Sequence, residues 1–293
     1  MALPREPTKE EIEALEAAIL NAITEEEGGQ ANYNEQDIQR VNTDEKYMRR
    51  FLLHQQHNHE KALRMAINVL KWRKENDLNG ITQDSIPIDF FKAGVLYIHN
   101  RDKDGAKMLI LQASKYVKGV YDPEHQKKYL IYLLEKLDRE EKGERITLFF
   151  DMKDIGMNNM DMEFIQYLIQ VLSDFYPYFL NYIIVFKLPW IMNAVWRVVQ
   201  GLLPAEASQI IKFLDENNLS EYVRPDQSLK SWGGLDDFVY TYNEKDTNKV
   251  SLLHDNIPSN MCDSEIQKIK SYESGTSTTA TLKQNLSGKN ITL

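Results

Sequence analysis

The sequence predicts an α/β protein: an N-terminal helical subdomain followed by a mainly parallel sheet flanked by helices. Three observations carry this. The runs "ITLFF" (146–150) and "YIIVF" (182–186) are continuously apolar, as strands buried on both faces are. Long segments with apolar residues at helical spacing lie around them, and strands alternating with helices build parallel sheets through crossovers. The first eighty residues show helical periodicity alone.

Each element has its own signal. Thr8 and Glu11 form a capping box ahead of "IEALEAAILNA", where Ile12, Leu15, Ile19 and Ala22 share a face. Gly28-Gly29 ends that helix. Asn34 caps "NEQDIQRV". "DEKYMRRFLLHQ" follows, with Tyr47, Phe51 and Leu52 on one side. In "NHEKALRMAINVLKWRKENDLNG" the residues Ala62, Met65, Ala66, Val69 and Trp72 line a face, and Asn79-Gly80 signals its end. "GVLYIHNRDKDGAKMLILQAS" reads as two strands about an Asp104-Gly105 turn. A long helix after Pro123, the strand "RITLFFDM", the helix "DMEFIQYLIQVLSDFYP" and the strand "NYIIVFKLP" come next, and "ASQIIKFL" adds a short strand. The expected organisation is a helical region over 1–80, a second domain over 81–242 and a disordered polar tail over 243–293, where Ser, Thr, Gly and Asn dominate.

Composition narrows the function classes. Of 293 residues 42% are hydrophobic and 27% charged, and 44 acidic against 35 basic residues give a net charge of −9. That balance argues against nucleic acid as a partner. Cys262 is the lone cysteine, so no intrachain disulfide is possible. The first residues carry no basic and apolar leader pattern, so no secretory signal is predicted. The glycosylation-like triplets at Asn218, Asn285 and Asn290 then read as chance matches, and the expected location is cytoplasmic.

Chemistry is scarce. There is no nucleophile elbow, no phosphate-binding loop and no dinucleotide glycine pattern, and Gly233-Gly234 follows the last strand candidate. His54, His57 and His59 lie close together but lack an evident further ligand, so solvated junction residues are expected and no metal or other cofactor is. Asp151 and Asp154 sit at a strand end with no nucleophile or base beside them, which suits capping and turn roles. The sequence therefore predicts no enzyme.

What stands out is "LPWIMNAVWRVVQGLLP" (188–204). It is too short and too interrupted to span a bilayer, which takes ~20 apolar residues. On a helical projection Asn193, Arg197 and Gln200 form one narrow polar stripe and apolar residues cover nearly all the rest. A helix lying on a core needs a narrower apolar face. Two accounts fit: a helix sandwiched between sheet and neighbour, or a lid with one flank over a cavity and the other toward lipid headgroups.

The segments "MRRFL", "HEKALRMAINVLKWRKEN", "ITLFFDMKDIG", "DFYPYFLNYIIVFKLPWIMNAVWRVVQGLLP" and "SWGG", in this order, resemble the CRAL-TRIO lipid-binding family across about 35–242. The resemblance implies a mobile gate helix over 189–203, above a lipid pocket floored by strands 146–151 and 182–187. It implies lipid-binding contacts from Phe150, Tyr178, Phe186, Trp190, Ile191, Val195 and Val198, with Trp196 toward the membrane. Phosphatidylinositol-binding members place a glutamate where this chain has Tyr178, a threonine and a lysine where it has Glu206 and Gln209, and basic residues where it has Leu53, His54 and Gln55. A phosphate headgroup needs cations or donors, so another lipid is expected. The expected partners are one hydrophobic small molecule or lipid, a transient membrane contact and protein partners. The alternative is a scaffold that keeps the fold without exchanging lipid.

Overall fold

The computed structural model describes residues 5–205 and 207–243. The expected tail beyond 243, Cys262, Asn285, Asn290 and Glu206 lie outside the described residues. Four helices open the chain: α1 (Lys9–Glu25), α2 (Glu35–Thr43), α3 (Glu45–His54) and α4 (His59–Glu75). Side chains of Thr8, Asn34, Asp44 and Asn58 cap their first turns by accepting backbone N–H bonds. Their apolar faces close on one another, with Leu15, Ile19, Phe51, Ala66 and Leu70 fully buried. In α1 the fourth buried position is Ile23 rather than Ala22, the residue a 3.6-residue period selects.

A short helix α5 (Ile88–Ala93) leads into the sheet, made of β1 (Leu96–Arg101), β2 (Lys107–Gln112), β3 (Ile146–Asp151), β4 (Leu180–Phe186) and β5 (Ile211–Leu214). Their spatial order is their chain order. The Asp104-Gly105 hairpin makes β1 antiparallel to β2, and every other pairing is parallel. The crossovers are α6 (Pro123–Glu140) between β2 and β3, α7 (Met162–Asp174) between β3 and β4, and α8 (Asn193–Leu202) with the single-turn α9 (Ala207–Ile210) between β4 and β5. The expected α/β architecture is the observed one. Two local differences appear: residues 190–192 form a 3₁₀ turn before α8, and "ASQI" coils into α9 before β5 begins. Among the described residues no helix is long and apolar enough to cross a membrane.

Register assigns the two faces of the sheet. Leu111, Phe150 and Val185 are successive partners across β2, β3 and β4, so they share a face. Phe149, Ile184 and Phe186 lie on the other face, which is filled solid with Trp232, Leu214 and Val223. Trp232, from "SWGG", stacks on Phe149 with ring centroids 4.1 Å apart, and its Nε1–H donates to Asp151 Oδ2 at 2.8 Å. Asp151, a strand-end carboxylate, thus anchors the C-terminal segment. Burial pushes its carboxyl up, against the Trp232 hydrogen bond.

Gly234 closes that segment against Ser228. A Cβ there would meet the Ser228 carbonyl oxygen at 2.0 Å, a backbone atom that cannot swing away. Gly234→Ala is expected to cost about 2 kcal/mol, a fall in melting temperature of roughly 4–8 °C. Gly201→Ala in α8, where nothing lies within 4 Å, is expected to leave it level or higher. Equal melting curves for the two variants would contradict the close approach.

Candidate functional site

The open face of the sheet is not filled by protein. Between it, α7 and α8 lies a cavity of about 1290 Å³, above the ~300–1,000 Å³ typical of small-molecule pockets. Its floor is Leu148, Phe150, Ile183, Val185 and Ile211. Phe164, Leu168 and Leu172, four residues apart on one face of α7, form a wall. Val195, Trp196 and Val199 of α8 form the roof.

α8 answers the question of its excess apolar surface. None of its own residues is buried. Val195, Trp196 and Val199 are half-buried over the cavity, while Val198 and Leu202 are exposed on the far side. Met192, at its N-terminal end, is its firm anchor: it is fully buried with Met152, Ile155, Val185 and Ala113. A helix sandwiched between two packed layers would bury both flanks, and this one buries neither.

The expected contact residues divide. Phe150, Tyr178 and Val195 line the cavity. Phe186 does not: it pairs with Asp151 in register, on the opposite, solid face. Trp190, Ile191 and Val198 do not line it either. They are 83%, 53% and 56% exposed, because the 3₁₀ turn buries Met192 and leaves its neighbours outside. Trp196, expected outward, lies in the roof with its ring edge-on to Phe213 of β5, centroids 4.8 Å apart. The sequence reading missed the α7 wall, although "FIQYLIQVL" shows apolar residues on more than one face.

Polar groups gather at the two ends. At the C-terminal ends of the strands, Tyr116 Oη donates to Asp161 Oδ2 at 2.6 Å, and Asn159 Nδ2 donates to the Tyr116 carbonyl at 2.6 Å. Burial, then the bond to Asp161, pushes the Tyr116 phenol up to about 12. Burial opposes the charge on Asp161, but bonds from Tyr116 and the α7 amides outweigh it and hold its carboxyl below the usual range. At the other end stand His54, Arg145, Tyr178, Asn181 and Asp104. His54 Nδ1 accepts the Tyr178 N–H at 3.1 Å. His57 instead bonds the Arg5 carbonyl. Among the described residues no group of three or more His, Cys, Asp or Glu is placed to hold a metal ion.

Residues 91–234 match the family model of the CRAL/TRIO domain. Over 215 residues the chain is 27% identical to a CRAL-TRIO domain-containing protein of Schizosaccharomyces pombe, covering 70% of this chain and 48% of that protein. Over 254 residues it is 21% identical to the phosphatidylinositol transfer protein CSR1 of Eremothecium gossypii, covering 80% and 57%. Patellin-6 of Arabidopsis thaliana is 22% identical over 192 residues, covering 59% and 47%. The chain spans about half the length of the curated relatives it matches. Among solved structures, that of Sfh5 superposes with a TM-score of 0.62 at 19% identity, covering 80% of this chain and 91% of that one. This likeness shows the fold.

Proposed function

We propose, from the match of residues 91–234 to the CRAL/TRIO domain model and the similarity to proteins of that family, that this chain belongs to the family and binds one hydrophobic or amphipathic lipid beneath a gate formed by residues 189–203. The observation that carries this is the pairing of a largely apolar cavity of about 1290 Å³ with a roof helix that leaves its outer apolar flank uncovered. Burying acyl or isoprenoid surface contributes ~25 cal/mol per Å², so the cavity offsets a lipid's loss of the bilayer, and gate opening sets the exchange rate. That one relative is a phosphatidylinositol transfer protein supports the ligand class.

The gate has hinge material at both ends. Lys187 holds a left-handed backbone (φ 57°) and its N–H donates to the Leu214 carbonyl at 2.9 Å. Pro189 lies two residues on, and Pro204 closes the segment. We assign the membrane contact to Trp190, Ile191, Val198 and Leu202, and place Phe150, Tyr178, Val195 and Trp196 on the ligand. The expected location is cytoplasmic and peripheral on intracellular membranes. The segments "NEQDIQRV", "SIPIDFF", "DIGMNNMDMEF" and "LPWIMNAVWRVVQGLLPAEASQIIKF" also suggest kinship with the CRAL-TRIO portion of motile sperm domain-containing protein 2.

Native mass spectrometry of freshly purified protein tests the reading. A bound lipid near one per chain is expected, and Ile183→Trp, which puts a large ring on the cavity floor, is expected to expel it without changing the far-ultraviolet circular dichroism. An empty wild-type cavity would sink the carrier reading and favour a non-exchanging scaffold that binds protein partners.

A further inference from the structure

The cavity's polar end holds a cation that no internal ion pair accounts for. Arg145, the residue before β3, is half-buried and lines the cavity beside Leu53, His54, Tyr178 and Asn181. Its guanidinium lies over the Tyr178 ring, 5.3 Å from the centroid. Among the described residues no carboxylate comes within ion-pair distance of it.

The other charged groups lining the cavity are already engaged or face away. Asp104 Oδ2 accepts from Tyr182 Oη at 2.7 Å and from Asn181 Nδ2 at 3.2 Å; these bonds, with a smaller pull from the Arg145 charge beyond ion-pair distance, hold its carboxyl below the usual range. Asp161 accepts from Tyr116 and caps α7. Lys212 Nζ donates to the Gln209 carbonyl at 2.9 Å. Asp174 is exposed at the end of α7. Glu6, which feels the Arg145 charge from further off, is bound by Arg49.

The backbone is arranged around the same spot. Tyr178 adopts a left-handed conformation (φ 47°), one that a bulky side chain avoids unless its surroundings impose it. Here the His54 ring takes the Tyr178 N–H, and the phenol ring is thereby turned under Arg145. A guanidinium seated over an aromatic ring keeps N–H groups available for bonds to an anion.

We propose that Arg145 anchors an anionic oxygen headgroup, a carboxylate or a phosphate, of the amphipathic molecule whose tail fills the apolar cavity, with Tyr178 as the residue that positions the guanidinium. This rests on the carrier reading. It also gives the tyrosine at the position after "FYP" a role: it supports a cation delivered from another element.

Binding of oleate and of oleyl alcohol to the delipidated 293-residue chain tests it, since the two share a tail and differ in the headgroup charge. Oleate is expected to bind at least tenfold tighter. Arg145→Gln is expected to bring oleate down to the alcohol's affinity while leaving the alcohol unchanged, and Arg145→Lys to keep part of the preference. Dioleoylphosphatidic acid offered in phosphatidylcholine vesicles is expected to show the same Arg145 dependence, and inorganic phosphate alone to give no measurable heat by calorimetry. Equal affinities for oleate and oleyl alcohol, or an Arg145→Gln variant that keeps the preference, would overturn this inference and leave the carrier reading standing. Phosphate binding as tight as oleate would overturn it in favour of a free-anion site. Failure of every long-chain probe to bind would overturn the carrier reading, and this inference with it.

Discussion

Arg73→Ala is expected to lower the melting temperature by on the order of 10 °C, the largest loss from any single side chain outside the apolar core. Arg73 of α4 donates to Asp37 of α2 at 2.9 Å and to both oxygens of Glu135 of α6 at 2.8 and 3.1 Å. Tyr176 Oη adds a bond to Glu135 at 2.8 Å. All three charged side chains are at least 94% buried. Removing the guanidinium strands two carboxylates away from water, and breaking a buried pair in this way costs about 3–5 kcal/mol. For a chain of this size each kcal/mol moves the midpoint by ~2–4 °C. Arg64→Ala, which removes only an exposed pair with Glu60 on one helix, is expected to leave the midpoint nearly unmoved. Similar melting curves for the two variants would show that the network adds nothing.

The network also ties the N-terminal helices to α6, which packs on the sheet. A second buried carboxylate, Asp138 of α6, receives Arg50 and Arg40 at 2.5 Å each, and Arg50 reaches on to the Pro177 carbonyl beside β4. Burial opposes the charge on Asp138, but the two guanidinium groups outweigh it and hold its carboxyl well below the usual range. The sign follows from linkage. A carboxyl depressed in the folded state contributes stability that is present above its unfolded value of about 3.9 and is lost as pH falls from there toward the folded value. Acid is therefore expected to loosen the N-terminal helices from the sheet.

The sequence carried much of this architecture and less of its site. β3 and β4 were legible because "ITLFF" and "YIIVF" are apolar at every position, and the same property hid their register. When both faces of a strand are apolar, nothing in the pattern says which one meets a cavity. Phe150 and Phe186 look equivalent in sequence, yet pairing with Val185 turns Phe150 to the cavity and pairing with Asp151 turns Phe186 to the solid core. The apolar excess of 188–204 was legible as a helix with two apolar flanks. Which tryptophan faced which way was not, because the 3₁₀ turn at 190–192 breaks the 100° step on which a helical projection relies. The polar end is assembled from α3, the residue before β3 and the turn into β4, and no local pattern joins His54, Arg145 and Tyr178.

That reversal of the tryptophans makes the outer flank of the α8 segment separable from its inner one. Replacing Trp190 and Ile191 together by alanine is expected to weaken partitioning onto phosphatidylcholine vesicles by about a hundredfold or more. Both side chains are more than half exposed, so the folded protein loses little packing when they are cut. Burying one large apolar side chain in a lipid interface is worth about 1.5–3 kcal/mol, and 1.4 kcal/mol is a factor of ten. Trp196→Ala is expected to do the opposite: vesicle partitioning stays close to wild type, while the contact with Phe213 is lost and bound lipid escapes faster. The outer flank carries one charge, Arg197, among apolar residues, so wild-type partitioning should change little between low and high salt, unlike that of a protein steered by a basic patch. Unaltered partitioning of the double variant, or a loss confined to Trp196→Ala, would place the membrane contact elsewhere on the fold. A steep salt dependence would point to electrostatic docking through basic side chains instead.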